Sequence, residues 1–222
     1  MKIETIVVTG SIGSGKSRVL ETIRNLSEVK VGFFSFDEYT KELYDREDVK
    51  KFLTMMFGTT DRKKISDMVF TACRQMGKTE TVNILLDQLN DFFFKLVEDK
   101  FLELINRKQH STMVIEMPLF FEMKERSIPI KMARSKVKVI AVVCDNDVRI
   151  ERVKNRDGFT EEKIRSIIDS QVSQSYKIEN ADYVIDTTDG HCEVHVEDLM
   201  KHKFKKVFFH GADQQTNAKV PA

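Results

Sequence analysis

Residues 10–17 read Gly10-Ser11-Ile12-Gly13-Ser14-Gly15-Lys16-Ser17, an instance of the phosphate-binding pattern G-x-x-x-x-G-K-[ST]. No other stretch limits the fold as much. The pattern works only where a buried strand delivers a loop to the start of a helix. Both flanks meet that condition. Residues 3–9 are apolar and β-branched, as in a buried strand, and residues 18–26 place Val19, Leu20, Ile23 and Leu26 on one helical side. The residue types follow from the chemistry. Glycines let backbone N–H groups approach phosphates, and the helix N-terminus adds partial positive charge at the same place. Lys16 is suited to neutralise β- and γ-phosphates, and the Ser17 hydroxyl to ligate Mg²⁺. The pattern points to nucleoside-triphosphate binding without choosing among kinase, hydrolase and switch.

The rest of the chain alternates strands with helices. Further strands are expected at residues 31–35, 111–115, 136–143 and 183–186, and helices at 39–57, 61–75, 79–108, 147–155, 160–174 and 194–209. Residues 119–124 read as a short turn or helix. Thr60 or Asp61 is suited to cap the helix at 61–75, and Thr160 the helix at 160–174, with Lys163 at its third position. Phe92-Phe93-Phe94 is read as packing rather than as an aromatic substrate wall. Five apolar strands between helices imply an α/β fold, a parallel sheet with helices on both faces, whose ligands bind at the strands' C-terminal ends. Asp37, Glu116 and Asp145 each follow a strand at that edge.

Composition narrows the class. A chain of 222 residues suits one α/β domain with a helical insert. A net charge of +1 gives no global field toward nucleic acid or an anionic membrane, so neither is expected as a partner. No signal peptide or membrane-spanning stretch is visible, which leads to a cytoplasmic expectation. Cys73, Cys144 and Cys192 lack metal-ligand spacing and read as buried or incidental thiols. The histidines show no ligand pattern either.

Several segments, in order, resemble one family. They are residues 9–17, Phe36-Asp37, Phe57-Gly58 with Asp61-Arg62 and Val69-Phe70, and Glu116-Met117-Pro118-Leu119-Phe120-Phe121-Glu122. Then come Arg152 with Arg156-Asp157, Gln171, and Ala181-Asp182-Tyr183-Val184-Ile185-Asp186. Together they resemble the dephospho-coenzyme A kinase family, P-loop kinases of the nucleoside-monophosphate-kinase fold, in a diverged member. The chain departs from the family's pattern where His-Pro is replaced by Asn90-Asp91 and two arginines by Gln174 and Lys177. The resemblance implies a five-stranded parallel sheet flanked by helices, with a helical acceptor-binding insert and a lid. One kinase domain would span residues 1–210: core about 1–40, 111–146 and 181–210, insert about 41–110, lid about 147–180. Residues 211–222 are expected to be a disordered tail.

The same resemblance assigns roles. The reaction expected is ATP-dependent transfer to the ribose 3′-hydroxyl of dephospho-coenzyme A, with ATP and Mg²⁺, in a monomer or small homo-oligomer. A (deoxy)nucleoside monophosphate kinase or a non-catalytic nucleotide-binding protein stays open on the same scaffold. Gly10, Ile12, Gly13, Ser14, Gly15, Lys16, Ser17 and Arg18 would hold the nucleotide. Asp37 would be the general base on the acceptor hydroxyl, or else a helix cap. Glu116 would hold Mg²⁺ through water with Ser17, or else be a solvated strand end. Arg152 and Arg156, four apart, would face phosphate or adenine, with Arg152 catalytic, or else lie on a solvated basic helix. The small-molecule acceptor would meet Asp37, Arg62, Pro118 and Leu119, unless Arg62 simply pairs with Asp61.

Overall fold

A computed structural model of the chain describes residues 5–28, 31–76, 80–106 and 112–208. Expectations for residues 3–4, 77–79, 107–111 and the tail at 211–222 lie outside these, as do the side chains of Phe70, Cys73 and Leu85. In chain order, β1 (Thr5–Thr9) leads into α1 (Lys16–Leu26), β2 (Gly32–Ser35), α2 (Phe36–Leu43), α3 (Glu47–Phe57), α4 (Arg62–Met76) and α5 (Glu80–Asn106). Then follow β3 (Met113–Glu116), α6 (Phe120–Arg126), α7 (Ile128–Ala133), a 3-10 turn at Arg134–Lys136, and β4 (Val137–Val143). The chain continues through α8 (Asn146–Asp157), α9 (Glu161–Ser170), α10 (Gln174–Asn180), β5 (Tyr183–Asp186), α11 (Cys192–Lys203) and α12 (Lys205–Phe208).

These elements divide into two units, one of Met1–Ser35 with Arg107–Ala222, the other of Phe36–Asn106. The first holds a five-stranded sheet in the order β2-β3-β1-β4-β5, with every strand pair parallel. The chain goes to one side of β1 for β2 and β3, and to the other for β4 and β5. Strand order thus reverses at β1, the kind of place where open parallel sheets bind ligands. One face packs Ile6, Val8, Val114, Ile140, Val142 and Ile185 against Val19, Ile23, Val196, Met200 and Phe208 from the helices. The alternate residues Val7, Ile115, Val139 and Ala141 are buried as well. With both faces covered, the central strands β1, β3 and β4 read as continuous apolar runs, whereas the edge strand β5 leaves Val184 exposed.

The second unit is helical and packs by apolar side chains. Leu43, Val49, Leu53, Phe57 and Ile65 form its buried centre, with Phe52, Phe92, Phe93 and Leu96 against it. Phe52 and Phe92 stack with ring centroids 3.9 Å apart, and Phe93 lies edge-on to Phe92 at 5.7 Å. Phe92 and Phe93 are therefore packing residues, as expected.

The structure corrects several element boundaries. The helix expected over 39–57 is two helices. Between α2 and α3 the chain turns with short bonds from the Tyr44, Asp45 and Arg46 amides to the carbonyls of Lys41, Glu42 and Leu43. The helix expected over 160–174 ends at Ser170, and a separate α10 follows, capped by Ser173. The helix α7 was not expected; Ser127 caps it by accepting from the Ile130 amide at 3.1 Å, with proline in its first turn. Capping at 61 and 160 is as read: Asp61 accepts from the Lys64 amide and Thr160 from the Lys163 amide. Cys144 and Cys192 are buried free thiols.

Candidate active site

The loop between β1 and α1 is shaped by how closely other elements approach it. At Gly13, φ is 75°, and a Cβ there would lie 2.7 Å from the Arg149 carbonyl oxygen and 2.9 Å from Val153 Cγ2. No side chain fits while α8 packs this close. At Gly10 a Cβ would stand 2.4 Å from the Val142 carbonyl oxygen of β4. Ile12 points the other way, into the cluster of Ile150, Val153 and Ile164 that joins α8 to α9. The loop is thus wedged between β4 and α8.

The loop ends where α1 begins. Gly15 is the cap residue, no side chain caps the helix, and no acidic residue sits in its first turn. The amides at this end and the helix dipole leave a site suited to an anion. Lys16 Nζ donates to the carbonyls of Gly10 at 2.9 Å and Ser11 at 3.1 Å, which holds the ammonium against the loop. Among the described residues the Ser14 hydroxyl is buried without a hydrogen-bond partner. It packs against Gly10, where a Cβ would lie 2.6 Å from it. Ser17 is exposed in the first turn of α1, while Arg18 pairs with Glu193 of α11.

Further residues hold the loop from behind, and the sequence did not single out all of them. Thr187, just past β5, donates to the Ser14 carbonyl at 2.8 Å. Arg152 donates to the Thr187 hydroxyl at 2.9 Å, to its carbonyl at 2.7 Å, and to Cys144 Sγ at 3.3 Å. Arg152 therefore ties α8 to the loop after β5. Arg156, four residues on, is exposed and pairs with Asp157 at 2.7 Å, so the two arginines do not converge. The Ile12 amide donates to Gln171 Oε1 at 3.2 Å. No local sequence signal marks Thr187, because its partner lies 173 residues away.

Glu116 closes β3 and is only 8% exposed, so it is not a solvated strand end. The Ser35 hydroxyl of β2 donates to one of its carboxylate oxygens at 2.6 Å. Beyond it, the Pro118 carbonyl accepts from the Thr9 hydroxyl at 3.0 Å, and Leu119 is partly exposed. These bonds tie Glu116 to the end of β2 and Pro118 to the end of β1.

Two expected acceptor residues lie in the helical unit. Asp37 is the second residue of α2 and exposed; the helix already starts at Phe36, so Asp37 is not its cap. The Arg62 guanidinium lies over the Tyr44 ring, 5.6 Å from its centroid, while the Asp61 carboxylate is occupied in capping α4.

A family model described as dephospho-CoA kinase matches residues 4–193. The dephospho-CoA kinase of Fusobacterium nucleatum is 27% identical over 209 residues, covering 90% of this chain and 95% of that protein. That of Nitrobacter winogradskyi is 31% identical over 191 residues, covering 83% and 87%. Among solved structures, TT1252 from Thermus thermophilus superposes with a TM-score of 0.66 at 21% identity, over 93% of this chain and 99% of that one, a likeness of fold.

Proposed function

The chain belongs to the dephospho-CoA kinase family, and we propose that it transfers the γ-phosphoryl group of ATP to the ribose 3′-hydroxyl of dephospho-coenzyme A, giving coenzyme A and ADP. The observation that carries the nucleotide part is the anion cradle between β1 and α1, with its uncapped helix start and Lys16, and family membership carries the acceptor. Phosphoryl transfer asks a protein mainly for positioning and charge neutralisation. Lys16 neutralises the β- and γ-phosphates, and the amides of the loop and of the first turn of α1 orient them. Arg152 acts through Thr187 on the Ser14 carbonyl and so holds the shape of the cradle; Arg156, paired with Asp157, lies at the exposed end of α8.

Asp37 is the general base that orients the acceptor hydroxyl and accepts its proton as the bond to phosphorus forms. Arg62 in the helical unit, and Pro118 and Leu119 in the sheet unit, are each further candidates for meeting the acceptor. The donor set also fits Mg²⁺, a hard cation that takes oxygen ligands and keeps several waters. The exposed Ser17 hydroxyl and the Glu116 carboxylate would hold it. Bound there, Mg²⁺ would offset charge on the phosphate oxygens.

ADP release, measured with purified protein and ATP over a panel of acceptors, tests this reading. Dephospho-coenzyme A should raise the rate far above the basal hydrolysis, and nucleoside monophosphates should not. Stimulation by a monophosphate instead, or by no acceptor, would overturn it.

A further inference from the structure

Behind the phosphate-binding loop lies a buried group of charges that phosphoryl transfer itself does not use. Lys177, in α10, is 1% exposed. Its ammonium donates to the Ser11 hydroxyl at 3.1 Å and pairs with Glu122 Oε1 at 3.2 Å. The same Glu122 oxygen accepts from the Val172 amide at 2.9 Å, and the other is buried without a partner among the described residues. Arg149 is buried too and donates to Asn146. Burial pushes the Lys177 ammonium down, Glu122 pulls it up, and Arg149 pushes it down again. Two cations thus share the back of the loop with one carboxylate.

Stability alone does not explain this arrangement. A buried ion pair is often matched or bettered by apolar side chains of similar volume. A methionine at 177 would fill the space, but it would not donate to Ser11. Ser11 stands between two ammonium groups, Lys16 on its carbonyl at 3.1 Å and Lys177 on its hydroxyl. The neighbouring segment grips the same place. Gln171 takes the Ile12 amide, and Gln174 takes the Cys144 amide at the end of β4 at 2.9 Å. Residues 171–177 therefore lock the first half of the loop onto the sheet edge.

We propose that Lys177 is a positioning residue: its bond to the Ser11 hydroxyl fixes residues 10–12, and with them the carbonyls that seat Lys16, in the shape that receives the nucleotide's phosphates. Glu122 holds the Lys177 ammonium at the required place. This rests on the loop being the ATP site.

Four variants separate positioning from packing. Ser11→Ala leaves the Lys177–Glu122 pair intact. It should keep the melting temperature near wild type while raising KM for ATP about tenfold, the scale of one charge-assisted hydrogen bond. KM for dephospho-coenzyme A should not move. Lys177→Met alone should lose both stability and ATP affinity, because it strands a buried carboxylate. Lys177→Met with Glu122→Gln removes that charge, so the melting temperature should recover and KM for ATP should not. Lys177→Arg should recover part of the ATP affinity. Wild-type KM for ATP in both Ser11→Ala and the double variant would overturn the proposal, as would equal rises for both substrates. Titration of each variant with a non-hydrolysable ATP analogue should show the same losses of affinity without turnover. Failure of this inference is thereby distinct from a wild-type protein that phosphorylates nothing.

Discussion

The sheet unit and the helical unit are held together in different ways. Around the loop of the sheet unit, polar groups interlock, locally where Lys16 bonds Gly10 and Ser11, and over long chain distances where Gln171 meets Ile12 and Thr187 meets Ser14, with Arg152 on Thr187. In the helical unit the order comes from Leu43, Leu53, Phe57 and the stacked Phe52 and Phe92, while Asp37 and Arg62 stand exposed at its surface. A hydrogen-bonded cradle tolerates little change in shape, because each bond fixes the place of a loop atom near the phosphates. An aromatic core fixes a scaffold and leaves its surface free to vary. On the proposed function, the phosphate donor's site would depend on the geometry of the cradle, and Asp37 and Arg62 would act as exposed side chains of the helical unit.

That contrast breaks first at Asp37. Asp37→Asn should lower turnover by about 10²–10⁴-fold, the usual worth of a general base, with both KM values and the melting temperature nearly unchanged. Steady-state kinetics checks it, and an unaffected rate removes Asp37 from the mechanism. Lys16→Ala should lower kcat/KM for ATP by about 10²–10³-fold, as loss of one preorganised charge-stabilising donor does. The stability of both units should survive it, which thermal melts would show.

Phe92→Ala sharpens the contrast from the other side. It should cost about 3–5 kcal/mol of stability. Hydrogen exchange should rise first within Phe36–Asn106, with nucleotide-analogue affinity kept in the molecules that remain folded.

The smallest effect belongs to Asp182, in the sheet unit. Burial alone would raise its carboxyl, but the Val139 amide, Arg134 and Lys138 outweigh that and hold it below the usual range. A carboxyl depressed on folding contributes stability above its unfolded pKa, about 3.9, and loses it as pH falls through the folded value. Asp182→Asn should therefore cost about 1–2 kcal/mol at neutral pH, the range for hydrogen bonds to a charged group. The gap from wild type in urea melts should close as pH drops from about 4 downward. A gap independent of pH would contradict the charge argument.

The legible parts of the molecule were local. The loop motif fixes strand, turn and helix within one short segment, and strands buried on both faces announce themselves as apolar runs. The break after Leu43 is hidden because neither glycine nor proline marks it and the cap position is Arg46, whose donor-only side chain accepts no bond from the amides of α3. The start of α7 was written as Ser127 with Pro129 and went unread. The bonds that complete the site could not be read at all. Lys177 meets Ser11 across 166 residues and Thr187 meets Ser14 across 173, so only the fold brings them together.

The most direct measurement is the structure of the product. The protein, incubated with ATP, Mg²⁺ and dephospho-coenzyme A, should yield coenzyme A, with phosphorus NMR showing a new monoester on the ribose 3′-oxygen and ADP in equal amount. Phosphate at any other position, or ADP formed with no phosphorylated acceptor, would contradict the account.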